Sequence, residues 1–167
     1  MANRGQAFEE EVELTNNQYR RKGIASIQKI ATPVKVLSNK GGRVSGFYDK
    51  KSTLDFRGTV KPGISISFDC KENNKDERGL PLAYIQDHQI QYMRQALEMK
   101  ERTFILCYMA MFDKRYFISG QVILDYWDRW QANKGKRGYN FVPVEEMKEV
   151  KSRNGFILDY LGGMDNE

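Results

Sequence analysis

Three residues carry the first chemical signal in the chain. Asp55 lies in STLDF, and Asp69 and Lys71 lie close together in ISISFDCK. Read as a strand, Ile64–Lys71 sends Ile64, Ile66, Phe68 and Cys70 to one face and Ser65, Ser67, Asp69 and Lys71 to the other. An acid and a lysine then project together, with Asp55 on the segment just before them. Cutting a phosphodiester needs an attacking water, in-line geometry and stabilisation of the negative charge that develops, and divalent cations provide all three. Mg²⁺ takes hard oxygen ligands and keeps several waters, so two or three carboxylates suffice. Asp55 and Asp69 are candidate ligands, with the Cys70 main-chain carbonyl as an extra one. Two carboxylates ~4 Å apart repel by roughly 4 kcal/mol at an effective dielectric of about 20, so a buried pair calls for a cation. Lys71 can position the water, help deprotonate it or stabilise transition-state charge. The same residues also fit a plain ion pair on a half-exposed strand, and spacing alone does not choose.

The elements that must position these groups are legible in outline. Asn3 to Gln6 fits a capping box, and Phe8, Val12, Thr15 and Tyr19 then recur at helical spacing with Glu9, Glu10, Glu11 and Glu13 beside them. Gly23 is a plausible stop, and Gly23–Ile30 reads as a short strand. Two short strands turning at Gly41-Gly42 would make a projecting basic arm over residues 34–52, carrying Lys35, Lys40, Arg43, Lys50 and Lys51. That arm is either a DNA contact or a solvated loop. Glu72–Gly79 (ENNKDERG) reads as a mobile charged loop, and Pro81–Lys100 as helical, with Ile90, Met93 and Leu97 on one face. Thr103–Met109 is a strand buried on both faces, and Tyr116–Ile118 its short partner. Ser119 caps a helix running to Trp130. Lys134, Lys136 and Arg137 fall in a glycine-rich loop, Pro143–Glu146 opens a short helix, and residues 162–167 form a frayed tail. The order α-β-β-β-α-β-β-α predicts one α/β domain over residues 1–167, a mixed sheet flanked by helices.

Composition narrows the chemistry. The 167 residues are 40% hydrophobic and 29% charged, with a net charge of +5. A basic chain with local acid clusters fits a polyanion binder that also holds metal. One histidine, His88, leaves zinc sites and Ser-His-Asp triads without partners. Two cysteines in apolar runs predict reduced thiols and a cytoplasmic setting. No signal-peptide pattern or membrane-spanning run is present, so no membrane role is expected.

The wider pattern resembles the PD-(D/E)xK nuclease superfamily and, within it, the RecU-type Holliday junction resolvases. The resemblance is carried in order by NRG at Asn3–Gly5, FEEEVELTN at Phe8–Asn16, ATP at Ala31–Pro33 and STLDF at Ser52–Phe56. FDCKE at Phe68–Glu72, DHQIQYM at Asp87–Met93 and LDYL at Leu158–Leu161 complete it. It implies a restriction-endonuclease-like mixed sheet with a short projecting stalk. It assigns Asp55, Asp69 and Glu9 to the metal, with Mg²⁺ as the cofactor and Mn²⁺ as a substitute, and Lys71 to catalysis. Asp69 stands where that family more often has glutamate, one methylene longer. Gln89 matches a glutamine that could orient a phosphate or water, and Arg4 a DNA-phosphate contact.

The function so implied is a homodimeric endonuclease that resolves four-way DNA junctions by paired nicks, in a bacterial or phage setting. A recombinase partner is compatible with the resemblance. Two other readings remain open at this level: a restriction-like endonuclease or exonuclease of the same fold, and a junction-binding accessory protein without catalysis.

Overall fold

The computed structural model describes residues 4–31, 34–48 and 53–164. The chain opens with α1 (Arg4–Arg21), whose Phe8, Val12, Thr15 and Tyr19 are all buried, as their spacing requires. Gly23 ends it at φ +67°, and Ile24 N–H reaches back to the Tyr19 carbonyl at 3.0 Å. That backward bond satisfies a carbonyl that the last turn leaves open, and it needs the left-handed residue that glycine supplies.

Next come β1 (Ala25–Lys29), β2 (Val34–Lys40), β3 (Arg43–Tyr48), β4 (Phe56–Val60), β5 (Ile64–Asn73) and β6 (Gly79–Pro81). They are followed by α2 (Asp87–Glu98), β7 (Arg102–Met109), β8 (Lys114–Ser119), α3 (Gly120–Ala132), β9 (Phe141–Pro143) and β10 (Lys148–Val150). The main sheet runs in the order β1-β4-β5-β7-β8-β10. Only β5 and β7 pair in parallel, across the connection that contains α2; the other neighbours are antiparallel. This is a mixed α/β sheet flanked by helices, of restriction-endonuclease-like architecture.

Alternation along β5 and β7 splits the core. Ile66, Phe68, Phe104 and Leu106 join Phe8, Val12 and Tyr19 of α1 on one face. Ile105, Cys107 and Met109 join Ile90 and Met93 of α2 and Ile123 and Leu124 of α3 on the other. Asp69 and Lys71 follow the second set, so they open toward α2. Ser119 does cap α3, accepting the Val122 N–H at 3.3 Å.

Three local expectations change. The helix expected from Pro81 begins at Asp87, because Gly79–Pro81 is drawn into pairing with Phe141–Pro143 and Leu82–Tyr84 makes one 3-10 turn. The segment expected as a mobile loop from Glu72 is partly strand, since β5 runs on to Asn73. The remainder is tied down by the buried Asn73 side chain. Its Nδ2 donates to the Asp76 and Gly79 carbonyls at 2.6 and 2.7 Å, and its Oδ1 accepts from the Lys75 and Asp76 amides at 3.1 Å each. The short helix expected after Pro143 is a 3-10 turn, Val144–Glu146.

Candidate active site

β4 and β5 pair so that Phe56 faces Phe68. The next step out along this antiparallel ladder brings Asp55 to Asp69, within hydrogen-bond reach of its carboxyl. Asp55 is anchored through its own carbonyl, which accepts the Ile30 N–H at 2.7 Å from the end of β1. Asp69 is fully buried. Its Oδ2 lies 2.6 Å from the Lys71 ammonium and accepts from Gln89 Nε2 at 3.0 Å. Its Oδ1 is buried with no hydrogen-bond partner. Lys71 also donates to Gln89 Oε1 at 3.2 Å. An ion pair this buried is more than the surface contact the spacing alone allowed.

The electrostatics follow from that packing. Burial is the main force that pushes the Asp69 carboxyl up to about 6; Lys71 opposes the rise, and the Asp55 carboxyl adds to it. Such a pair, with one oxygen left bare, is chemically matched to a hard divalent cation. The carboxyls of Asp55 and Asp69 therefore fit the metal that the sequence implied.

Glu9 takes a different position. Lys29 holds its carboxylate at 2.6 Å and also reaches Glu13 at 3.4 Å. Glu9 is nonetheless near: after burial, the Cys70 thiol is pushed up by the charges of Asp69, Glu9 and Asp55, with Lys29 opposing. Among the described residues, no three Asp, Glu, His or Cys side chains come together as a metal cluster.

The basic residues divide among two surfaces. Lys40 and Arg43 pair across the tip of the β2–β3 hairpin, where Gly41 and Gly42 turn at φ +58° and +78°, and Lys35 stands nearer its base. This ribbon also exposes Val34, Val36, Leu37, Val44 and Phe47. Lys134, Lys136 and Arg137 are exposed in the loop after α3. Lys50, Lys51 and the Arg4 side chain lie outside the described residues.

Two residues near the site escaped the sequence reading. Asn73 continues the alternation of Asp69 and Lys71, a signal lost by ending the strand at Lys71. Lys29, the partner of Glu9, had no local signal at all, because the two are brought together by packing of α1 against β1.

A mixed sheet that delivers an acid from one hairpin strand beside an Asp-x-Lys pair on the next defines a restriction-endonuclease-like nuclease fold. Comparison with known proteins places the chain more narrowly. The family model described as "RecU: Recombination protein U" matches residues 3–166. A protein of Streptococcus equi subsp. equi named Holliday junction resolvase RecU is 30% identical over 161 residues, covering 93% of this chain and 74% of that one. Its Bacillus subtilis namesake is 30% identical over 155 residues, 89% of this chain and 71% of that one. A Streptococcus uberis protein of the same name is 28% identical over 163 residues, 94% and 75% of the two chains. The chain belongs to the RecU family.

Proposed function

We propose that the protein is a structure-selective endonuclease that resolves four-way DNA junctions as a homodimer. The observation that carries the reading is the buried Asp69, bridged to Lys71 and Gln89 on one oxygen and bare on the other, with Asp55 beside it. Asp55, Asp69 and the Cys70 carbonyl would hold Mg²⁺, or Mn²⁺ in its place. Bound there, the cation would supply charge stabilisation and an activated water. Glu9, paired with Lys29 in this structure, would be the third carboxylate to hold it.

The chain's own groups then divide the work. Lys71, fixed beside the carboxylates, presents an N–H to the scissile phosphate or to the attacking water. Lys35, Lys40 and Arg43 on the hairpin, and Lys134, Lys136 and Arg137 after α3, contact phosphates and set orientation rather than sequence. Arg4, Lys50 and Lys51, outside the described residues, are assigned to DNA binding on the sequence alone. Paired nicks across a near-symmetric junction call for two matched sites, hence the two-fold dimer.

Cleavage of a labelled four-way junction with Mg²⁺, run beside a linear duplex of the same arms, tests the reading. Symmetric nicks near the branch with the linear duplex intact are expected. Cutting of both substrates would replace it with a general nuclease, and binding without cutting with an accessory protein.

A further inference from the structure

We infer that the open face of β1 and β4 beside Asp55 is a track for the DNA strand being cut, anchored by Arg57 on a phosphate one or two nucleotides from the scissile bond. The inference rests on the nuclease reading above and extends its DNA contacts to the sheet itself. Phe56 and Val60 of β4 are buried in the core that α1 covers, so Asp55, Arg57 and Thr59 take the other face. Arg57 stands opposite Gln28 of β1 and Ser67 of β5, and Thr59 opposite Ser26 and Ser65. Residues directly opposed across a ladder share a face, so Ser26, Gln28, Arg57 and Thr59 lie on the side of the sheet that carries Asp55 and Asp69. All four are exposed. On that side α2 packs on β7 and α3 on β7 and β8, and among the described residues no helix covers the β1–β4 end.

Arg57 is held in a way that lets it change partner. Its Nη2 lies 3.4 Å from Glu101 Oε2, the long end of hydrogen-bond range, and its side chain is 48% exposed. Glu101 is held more firmly: its side chain is 11% exposed, Tyr92 donates to Oε1 at 2.8 Å and Ser65 to Oε2 at 3.3 Å. When Arg57 leaves, that carboxylate keeps both hydroxyl donors. A planar guanidinium with free N–H groups then meets a phosphate in the two-bond geometry for which it is shaped.

Position gives the contact its meaning. Alternate residues on a strand are about 7 Å apart, so Arg57 is one step from Asp55, a spacing comparable to that between neighbouring phosphates of one DNA strand. Its contact with Glu101 turns it toward the start of β5, away from Asp69, which sets the direction in which the strand runs off the site. Ser26, Gln28 and Thr59 offer neutral donors along the same path. Such a track grips the backbone without reading bases, as selection by branch shape requires.

The test compares Arg57→Met with Glu101→Gln, since both break the ion pair but only the first removes the phosphate ligand. Junction affinity is titrated against salt without divalent metal. Arg57→Met should bind about tenfold more weakly at low salt and lower the slope of log affinity against log salt by about 1. Glu101→Gln should keep the wild-type slope. Junctions carrying a neutral methylphosphonate at single positions flanking the cut then locate the contact. One such position should weaken wild-type binding about tenfold and Arg57→Met no further. Should Arg57→Met fail to fold, the double variant with Glu101→Gln, which leaves no bare carboxylate, carries the same expectation. A wild-type slope in Arg57→Met would overturn the inference and leave the nuclease reading intact. Equal losses in both single variants would overturn it by making the pair structural, and a change of oligomeric state in Arg57→Met by making this face a contact with a second copy. A wild-type chain that cuts nothing, with the lower slope still seen in Arg57→Met, would remove the nuclease reading and keep the track.

Discussion

Asp69 makes the metal-free fold pH-sensitive in a direction opposite to that of an ordinary salt-bridged acid. Its carboxyl rises from 3.8 to about 6 on folding, first through burial and then through Asp55, against the pull of Lys71. A raised acid binds its proton more tightly when folded, so its stability contribution is intact below 3.8 and is lost as pH climbs through about 6. At about 1.4 kcal/mol per tenfold change in proton affinity, the loss comes to about 3 kcal/mol, most of it between pH 4 and 6. For a chain of this size that is a melting shift of roughly 6–12 °C. Asp69→Asn keeps an acceptor for Lys71 and Gln89 and cannot titrate. Urea denaturation of both metal-free proteins across pH 4 to 7.5 isolates the effect, since every other group contributes to both curves. The wild type should fall by about 3 kcal/mol relative to the variant. Mg²⁺ at a hundredfold over its Kd should then restore about 2.7 kcal/mol to the wild type and none to Asp69→Asn. Parallel pH profiles would refute the placement of Asp69 in a buried, cation-seeking pair.

Three further outcomes are expected. Lys71→Met should abolish cutting of a labelled junction while leaving its binding within a few-fold. It should also cost the metal-free fold about 3 kcal/mol in urea, because Asp69 loses its nearest counter-charge in a buried setting. Asn73→Ala should release the turn between β5 and β6, losing about 2 kcal/mol for buried bonds to four backbone groups; limited trypsin digestion should then cut at Lys75 or Arg78 well before the wild type is touched. Replacing Lys40 and Arg43 together by alanine should lower the slope of log affinity against log salt by about 2 in a junction-binding titration, as for two lost phosphate contacts. An unchanged slope would remove the hairpin tip from the DNA surface.

Local periodicity made much of this legible. Strict alternation put Asp69 and Lys71 on one face, Gly41-Gly42 marked the hairpin turn, and Ser119 marked the start of α3, since each signal lies within a few residues of its effect. What was not legible depends on partners far along the chain. The start of α2 is displaced by pairing between β6 and β9, which no pattern near Pro81 announces. Gln89 is an intermediate case. It lies one turn before Met93 and two before Ala96, in the stripe that α2 buries, so its burial was readable although its partners were not. Glu9 shows the reverse. Its place beside the core stripe was readable, but its bond to Lys29 joins two elements whose docking no local signal fixes.

The two faces of the central strands explain how a site with built-in repulsion holds its shape. On the face opposite Asp69, Phe56, Phe68 and Phe104 form a row across β4, β5 and β7, with centroids 4.9 and 4.7 Å apart and planes nearly parallel. Phe117 of β8 extends the row at 4.6 Å. Each such contact contributes about 0.5–1.5 kcal/mol beyond burial, so the row together is comparable to the roughly 3 kcal/mol held against Asp69. It also fixes register. A slip of one residue in β5 would turn Phe68 toward α2 and carry Asp69 in among the rings. The stack therefore selects the one alignment in which Asp55 meets Asp69 and Lys71 reaches Gln89. The apolar half of the alternation supplies the stability and the register that let the polar half keep two acids together.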